Sequence, residues 1–229
     1  MRSARLSQLP AAAEGPQALR SVLLPALLAD LPRERRVSIL DLGPARQANI
    51  DCFSAFSLRY TCWDIGEALA ELRRLVLPPA GTRLSRAARA AREARRAEME
   101  AARRRLIDGM LEAIPTRDWD LVLAWEIFNY LERPVLSLFL QGLVAGMRRG
   151  GRIHALIWGQ GRMPARMADV SFAPGPVLLR DAPAEEEFVE GGYSQYQLRG
   201  LCEGLVVHKG VLLRNGLQEL NLSYGGRPL

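Results

Sequence analysis

Val37–Gly43 reads VSILDLG: four apolar positions, Val37, Ile39, Leu40 and Leu42, run into Asp41 and then a glycine, with Pro44–Asn49 turning behind them. A short apolar run that ends on an acidic residue and a glycine is how the first, fully buried strand of an α/β sheet delivers a nucleotide-like ligand to the helix that follows. The flanking segments repeat the pattern. Leu58–Ile65 (LRYTCWDI) alternates Leu58, Tyr60 and Cys62 and closes on Asp64, 23 positions after Asp41. An acidic residue about 20 positions beyond the first strand end suits a ribose, because one carboxylate accepts both hydrogens of a vicinal diol. Asp118–Trp125 (DWDLVLAW) is a third strand with a polar entry and an apolar body.

Around these strands the periodicity turns helical. Pro16–Leu31 places Leu19, Val22, Leu23, Ala26, Leu27 and Leu31 on one face and predicts an amphipathic capping helix kinked at Pro25. Ala45–Phe56 predicts the first crossover helix and Gly66–Leu77 the second. Pro134–Arg149 carries Leu136, Phe139, Leu140, Leu143, Val144 and Met147 on one face, and Gly150-Gly151 is expected to stop it before the strand Arg152–Trp158. Strand, helix and strand in so short a span predict a right-handed crossover between parallel neighbours. Gly159–Gly192, rich in Pro and Gly, reads as a lid or substrate loop, and Tyr193–Cys202 as a short helix. Leu205–Leu213 and Leu217–Tyr224 flank Arg214-Asn215-Gly216, a strong hairpin signal.

Length and composition bound the rest. The 229 residues suffice for one sizeable α/β domain, and 48% hydrophobic with 24% charged residues is ordinary for a globular chain. The expected organisation is an N-terminal segment and capping helix over 1–36, then one domain over 37–229 with a helical insertion at 78–115. The amino terminus lacks an apolar h-region, and the longest apolar run, Val135–Met147, is too short to span a bilayer. The expected location is the cytoplasm, with no membrane contact. Cys52, Cys62 and Cys202 form no CxxC and have no histidine nearby in sequence, so free thiols are expected and no metal site.

Charge is concentrated. Lys209 is the single lysine among 31 basic residues, a bias that fits a GC-rich genome, and the net charge is +6. Arg83–Arg105 holds nine arginines against Glu93, Glu98 and Glu100, which equals the charge of the whole chain. Thr82–Ile114 predicts one long helix or two, placed where an α/β repeat would put its third strand. Three readings stay open for the arginines: a solvated helix face with pairs such as Arg89–Glu93 and Glu100–Arg104, a protein partner with an acidic surface, or nucleic acid. No aromatic residue lies in Arg83–Arg105 to stack a base, which disfavours the last.

Taken together, ILDLG at 39–43, Asp64, DWDLVLAWEIFNYL at 118–131, MRRGGRIHALIW at 147–158 and LLRNGLQELNL at 212–222 resemble the class I S-adenosylmethionine-dependent methyltransferases. The resemblance covers roughly Val37–Tyr224. It implies a Rossmann-like, mostly parallel sheet with helices on both faces, a C-terminal antiparallel hairpin, and S-adenosylmethionine as cofactor. By the resemblance, Asp41 would orient the ligand loop or meet the methionine end, Gly43 would admit the cofactor, and Asp64 would hold the ribose. Trp125 and Glu126 would line the pocket, and Asn129 and Tyr130 would face the substrate. From the residues alone, Trp125 and Tyr130 are equally core aromatics, Glu126 a helix-start acid and Asn129 a local cap. The chain departs from the family in its glycine loop: in DLGPARQ, Ala45 and Gln47 stand where the second and third glycines belong. A cofactor-dependent methyltransferase and a non-catalytic, partner-binding relative are both compatible with that loop.

Overall fold

In the computed structural model, which describes residues 15–75, 86–182 and 187–225, the VSILDLG segment becomes a strand buried from both sides. In chain order the elements are β1 (Gln17–Arg20), α1 (Leu24–Ala29), β2 (Val37–Asp41), α2 (Gln47–Cys52), β3 (Leu58–Cys62), α3 (Gly66–Arg74), α4 (Arg86–Glu112) and β4 (Trp119–Trp125). A 3₁₀ turn (Ile127–Tyr130) leads to α5 (Arg133–Ala145), β5 (Met147–Trp158), β6 (Gly161–Pro164), β7 (Asp169–Ala173), β8 (Val177–Asp181), β9 (Phe188–Gly191), α6 (Gln195–Leu198), β10 (Leu205–Leu212) and β11 (Leu217–Tyr224).

The main sheet has six strands in the order β10-β11-β5-β4-β2-β3. The pairs β3/β2, β2/β4 and β4/β5 are parallel, while β5/β11 and β11/β10 are antiparallel. This is the mostly parallel sheet with a terminal hairpin that the sequence predicts. Among the described residues no strand lies between β3 and β4 in the chain, so β3 forms the sheet edge. The central strands are apolar on both sides because both sides are covered: all seven residues of β4 are buried. On one face Leu40, Val122 and Ile153 meet α3, the C-terminal part of α4, and α5 through Leu69, Met110 and Phe139. Each such side chain contributes about 1.5–3 kcal/mol on burial.

The other face carries α1 as expected, but shares it with a layer the sequence did not announce. There Ile39, Leu121 and Leu156 pack on α1 through Leu24 and Leu27, and also on Val170, Phe172 and Leu178 of a small antiparallel sheet, β1-β8-β7. Three sequence readings are corrected by this layer. Pro16–Leu31 is not one helix: Gln17–Arg20 is a strand on β8, and only Leu24–Ala29 is helical. Pro25 sits in the first turn of α1, where a missing N–H costs nothing, and so makes no kink. Gly159–Gly192 is not an irregular loop, since β6 and β9 pair there as do β7 and β8. The N-terminal segment is thus bonded into the domain it was expected only to cap.

Smaller shifts have local causes. α5 ends at Ala145 rather than Arg149, and β5 begins at Met147, running through Gly150-Gly151. A Cβ on Gly151 would lie 2.8 Å from the Trp119 carbonyl oxygen, so the glycine allows the close strand approach and does not serve as a helix stop. α2 covers only 47–52 of the predicted 45–56, β3 ends at Cys62, and α6 spans four residues of Tyr193–Cys202. The insertion forms one helix over its described part; Thr82–Ser85 and the predicted end of α3 at Val76-Leu77 lie outside the described residues. No helix among the described residues is long and apolar enough to cross a membrane.

β11 carries Glu219 into the interior at 0% exposure. Its carboxylate accepts from Ser21 Oγ, from the Val22 and Leu23 amides at 2.8 and 3.2 Å, and lies 2.8 Å from His154 Nε2, which ties the entry of α1 to the sheet. Burial pushes the Glu219 pKa up, but His154, Ser21 and Val22 outweigh it and hold the carboxyl below its ordinary value. A depressed folded pKa adds stability above the unfolded value, about 4.3 for Glu. That stability is lost as the pH falls through the folded value. Thermal melts from about pH 6 to pH 3 should therefore show a steeper acid loss for the wild type than for Glu219→Gln, which has no proton to bind.

Candidate functional site

The parallel strands β2, β3 and β4 end together, and the segments that follow them meet at a cavity of about 830 Å³. Its rim includes Gly43 and Pro44 after β2, Asp64 after β3, Trp125 at the tip of β4, and Tyr130 from the 3₁₀ turn. The opposite wall is Ala165–Val170, leading into β7. Volumes of roughly 300–1,000 Å³ at strand C-termini are typical of ligand sites in open α/β sheets.

Asp41 joins the strand ends. It is fully buried, and its carboxylate accepts from the Gly43 amide at 2.9 Å, Asn49 Nδ2 at 3.0 Å, the Tyr60 hydroxyl at 2.5 Å and the Trp125 indole N–H at 2.5 Å. These donors come from the turn after β2, from α2, from β3 and from β4, so one side chain sets the relative position of all four. Asn49 passes the connection on, accepting from the Phe172 amide of β7. Burial first, and then the Asp41 carboxylate, push the Tyr60 phenol strongly upward, which keeps it a donor.

Trp125 lies at φ +44°, the left-handed region that a tryptophan rarely adopts. A register irregularity between Leu123 and Trp125 accompanies it. Its indole is held between Asp41 and the Phe172 ring, 5.2 Å away. A Cβ on Gly43 would lie 3.1 Å from the indole nitrogen, so the glycine admits Trp125 as well as any ligand.

The turn that lacks two glycines is not a plug. Gln47 bonds forward to Asp51 at 2.7 Å along α2, and Arg46 pairs with Asp169. Trp63 stacks on Phe139 with ring centres 6.2 Å apart, on the other face of the sheet. None of the three lines the cavity.

Asp64 is exposed on the rim, its Oδ1 accepting from the Gly66 amide at 2.9 Å at the start of α3. Tyr130 is nearly buried, donates to the Arg166 carbonyl at 2.8 Å, and lines this cavity and a second one beyond it. Asn129 is buried and tied by its amide: Nδ2 donates to the Glu126 and Leu156 carbonyls, and Oδ1 accepts from the Trp158 amide at 2.8 Å. It borders the second cavity only.

Glu126 does not line the cavity, contrary to expectation. It is fully buried, ion-paired with Arg180 of β8, and accepts from the Trp158 indole at 3.3 Å. The strand tip therefore turns its acid inward to anchor the small sheet, and the cavity wall built on that sheet is fixed to β4. Sequence reasoning missed Arg180, Asn49, Tyr60 and Phe172. Only Tyr60 and Phe172 had a signal, the alternation of β3 and β7. Arg180 lies 54 residues from its partner, without any local pattern. The three cysteines are free; burial pushes the Cys52 thiol up to about 11, and no cluster of metal-ligating side chains occurs among the described residues.

Sheet order and cavity together define an open, mostly parallel α/β fold with a terminal antiparallel hairpin and a cavity at its strand ends. No protein-family model matches the chain, and no curated protein does. Among solved structures it is similar to 1,6-didemethyltoxoflavin-N1-methyltransferase of Burkholderia thailandensis, crystallised with 1,6-didemethyltoxoflavin and S-adenosylhomocysteine: 13% identity, 90% of this chain and 80% of that chain covered, TM-score 0.45. Two further similar structures are S-adenosylmethionine-dependent methyltransferases. One, from Methanosarcina mazei, has 14% identity, coverage of 87% and 97%, and TM-score 0.45. The other, from Clostridium acetobutylicum, has 11% identity, coverage of 90% and 97%, and TM-score 0.44. The reading of the site rests on its own geometry.

Proposed function

We propose that the chain is an S-adenosylmethionine-dependent methyltransferase acting on a small acceptor. The observation that carries this reading is the open cavity between Gly43, Asp64 and Trp125, which Arg46, Gln47 and Trp63 leave clear. Bound there, the cofactor supplies a sulfonium methyl group to a nucleophilic acceptor atom. The chain's own contribution is position: methyl transfer to a ready nucleophile needs alignment more than acid–base chemistry. Gly43 offers close backbone approach, and Asp64 offers a rim carboxylate to a diol. Trp125, locked by Asp41, sets the wall, while Tyr130 separates this cavity from the next. An open, walled slot is what a working site requires, and a purely partner-binding domain has no need to keep one.

Thermal shift tests the assignment. S-adenosylhomocysteine is expected to raise the wild-type melting temperature, and Asp64→Ala to weaken binding about tenfold or more, the scale of a hydrogen bond to a charged group. Asp64→Asn retains an acceptor for the Gly66 amide, so its parallel loss would assign the effect to the ligand and not to the turn. Absence of any shift in the wild type at millimolar ligand would contradict the assignment.

A second reading concerns α4 alone. From Ala88 to Ala101 every residue but Arg92 and Met99 is exposed, whereas Arg103 pairs with Glu132 at 2.7 Å and Met110 enters the core. We propose this outer stretch as a docking surface for an acidic protein.

A further inference from the structure

Beyond Tyr130 a second cavity of about 510 Å³ adjoins the first, and the two share Arg73, Tyr130 and Val189 in their walls. None of Gly43, Pro44, Asp64 and Trp125 reaches it. Its remaining surface mixes apolar side chains, Leu72, Met163 and Tyr193, with Arg103 from α4 and Gly191-Gly192 at the end of β9. It is bounded by α3, α4, the 3₁₀ turn and the β6–β9 pair, so a ligand there would be enclosed by walls from four parts of the chain.

The charge that faces this space is Arg73, in the last turn of α3. It is half-buried, and its guanidinium carbon stands 5.0 Å above the Tyr130 ring. The other arginine lining this cavity, Arg103, is committed to Glu132 at 2.7 Å. Among the described residues no carboxylate or carbonyl pairs with Arg73. Two carboxylates border the same cavity: Glu132, 68% exposed and held by Arg103, and Glu190, exposed on β9. Both are solvated and weakly felt, whereas the stacked guanidinium is partly desolvated. A guanidinium stacked on a tyrosine keeps its in-plane N–H groups available, and their fork matches a carboxylate bidentately.

Resting on the methyltransferase reading, we propose that Arg73 anchors the anionic group, a carboxylate, of a small, largely apolar acceptor held in this second cavity. The size suits a single small molecule. The apolar walls would take the body of the acceptor, and Arg73 would place it beside the boundary at Tyr130 where the two cavities meet.

The test uses the full chain and three probes, 4-hydroxybenzoate, its neutral isostere 4-hydroxybenzamide, and phenyl phosphate, titrated calorimetrically with and without S-adenosylhomocysteine. The expected result is carboxylate binding that falls tenfold or more in Arg73→Gln and is only partly restored in Arg73→Lys, whose point charge lacks the fork. The amide should bind more weakly, and equally to wild type and variant. Preferential binding of phenyl phosphate would overturn the carboxylate assignment. So would equal binding of benzoate and benzamide, no binding of any probe to the wild type, or carboxylate binding unchanged in Arg73→Gln. Loss of S-adenosylhomocysteine affinity in Arg73→Gln with probe binding intact would place Arg73 on the cofactor and overturn the proposal. If S-adenosylhomocysteine binds neither protein, the methyltransferase reading fails by itself, and the probe titrations still decide the anion site.

Discussion

Asp41→Ala is expected to remove a large part of the chain's folding stability. The carboxylate is 0% exposed and receives the donors of Gly43, Asn49, Tyr60 and Trp125. Alanine would strand four donors, three of them in buried bonds. Each buried unsatisfied donor costs about 1–3 kcal/mol, and even after relaxation a loss of about 4 kcal/mol or more is a large part of a total near 5–15 kcal/mol. Asp41→Asn is the gentler case. Its oxygen can keep two of the donors, but its NH₂ group must face the others, so about 2–3 kcal/mol is expected. In a domain of this size each kcal/mol lowers the melting temperature by about 2–4 °C. Urea unfolding should rank wild type, Asn and Ala in that order. A change below about 1 kcal/mol for Asp41→Ala would mean that the four bonds are not what fixes the strand ends.

The buried Glu126–Arg180 pair should show the second large effect. Arg180→Met removes the cation from a carboxylate with no exposure, leaving it the long Trp158 contact. Breaking one side of such a pair typically costs about 3–5 kcal/mol, because a charge remains buried without compensation. Replacing both members, as in Glu126→Leu with Arg180→Met, removes the stranded charge and should recover most of the loss. The coupling measured by the double-mutant cycle separates the pair from simple packing defects. Because β8 pairs with β7, whose Asp169 and Val170 line the cavity, Arg180→Met should also weaken S-adenosylhomocysteine binding. Additive single effects would contradict a direct coupling.

Much of this fold was legible in the sequence, for a physical reason. The parallel strands are buried on both faces, so VSILDLG and DLVLAW are near-continuous apolar runs that nothing else explains as well. The Asn215-Gly216 turn forces its hairpin in the same local way, with Gly216 at φ +90°. The small sheet was hidden because its strands have four or five residues and gain their stability from Phe172 and Leu178 packing on distant β strands. In the site, Gly43, Asp64, Trp125 and Tyr130 line one cavity, and Asp41 is buried with its carboxylate bonded to Gly43 and Trp125. Glu126 was misplaced because the charge that draws it inward, Arg180, comes from a strand with no periodic signature. Arg73 drew no notice in sequence, as one of many arginines; only its stacking on Tyr130 sets it apart.

The central claim is that this cavity holds an adenosyl cofactor, and a crystal structure of the full chain grown with millimolar S-adenosylhomocysteine tests it most directly. The account predicts ligand density between Gly43 and Asp64, with the ribose hydroxyls on the Asp64 carboxylate and Trp125 unmoved. Clear protein density around a cavity without ligand, or the ligand bound elsewhere, would contradict it.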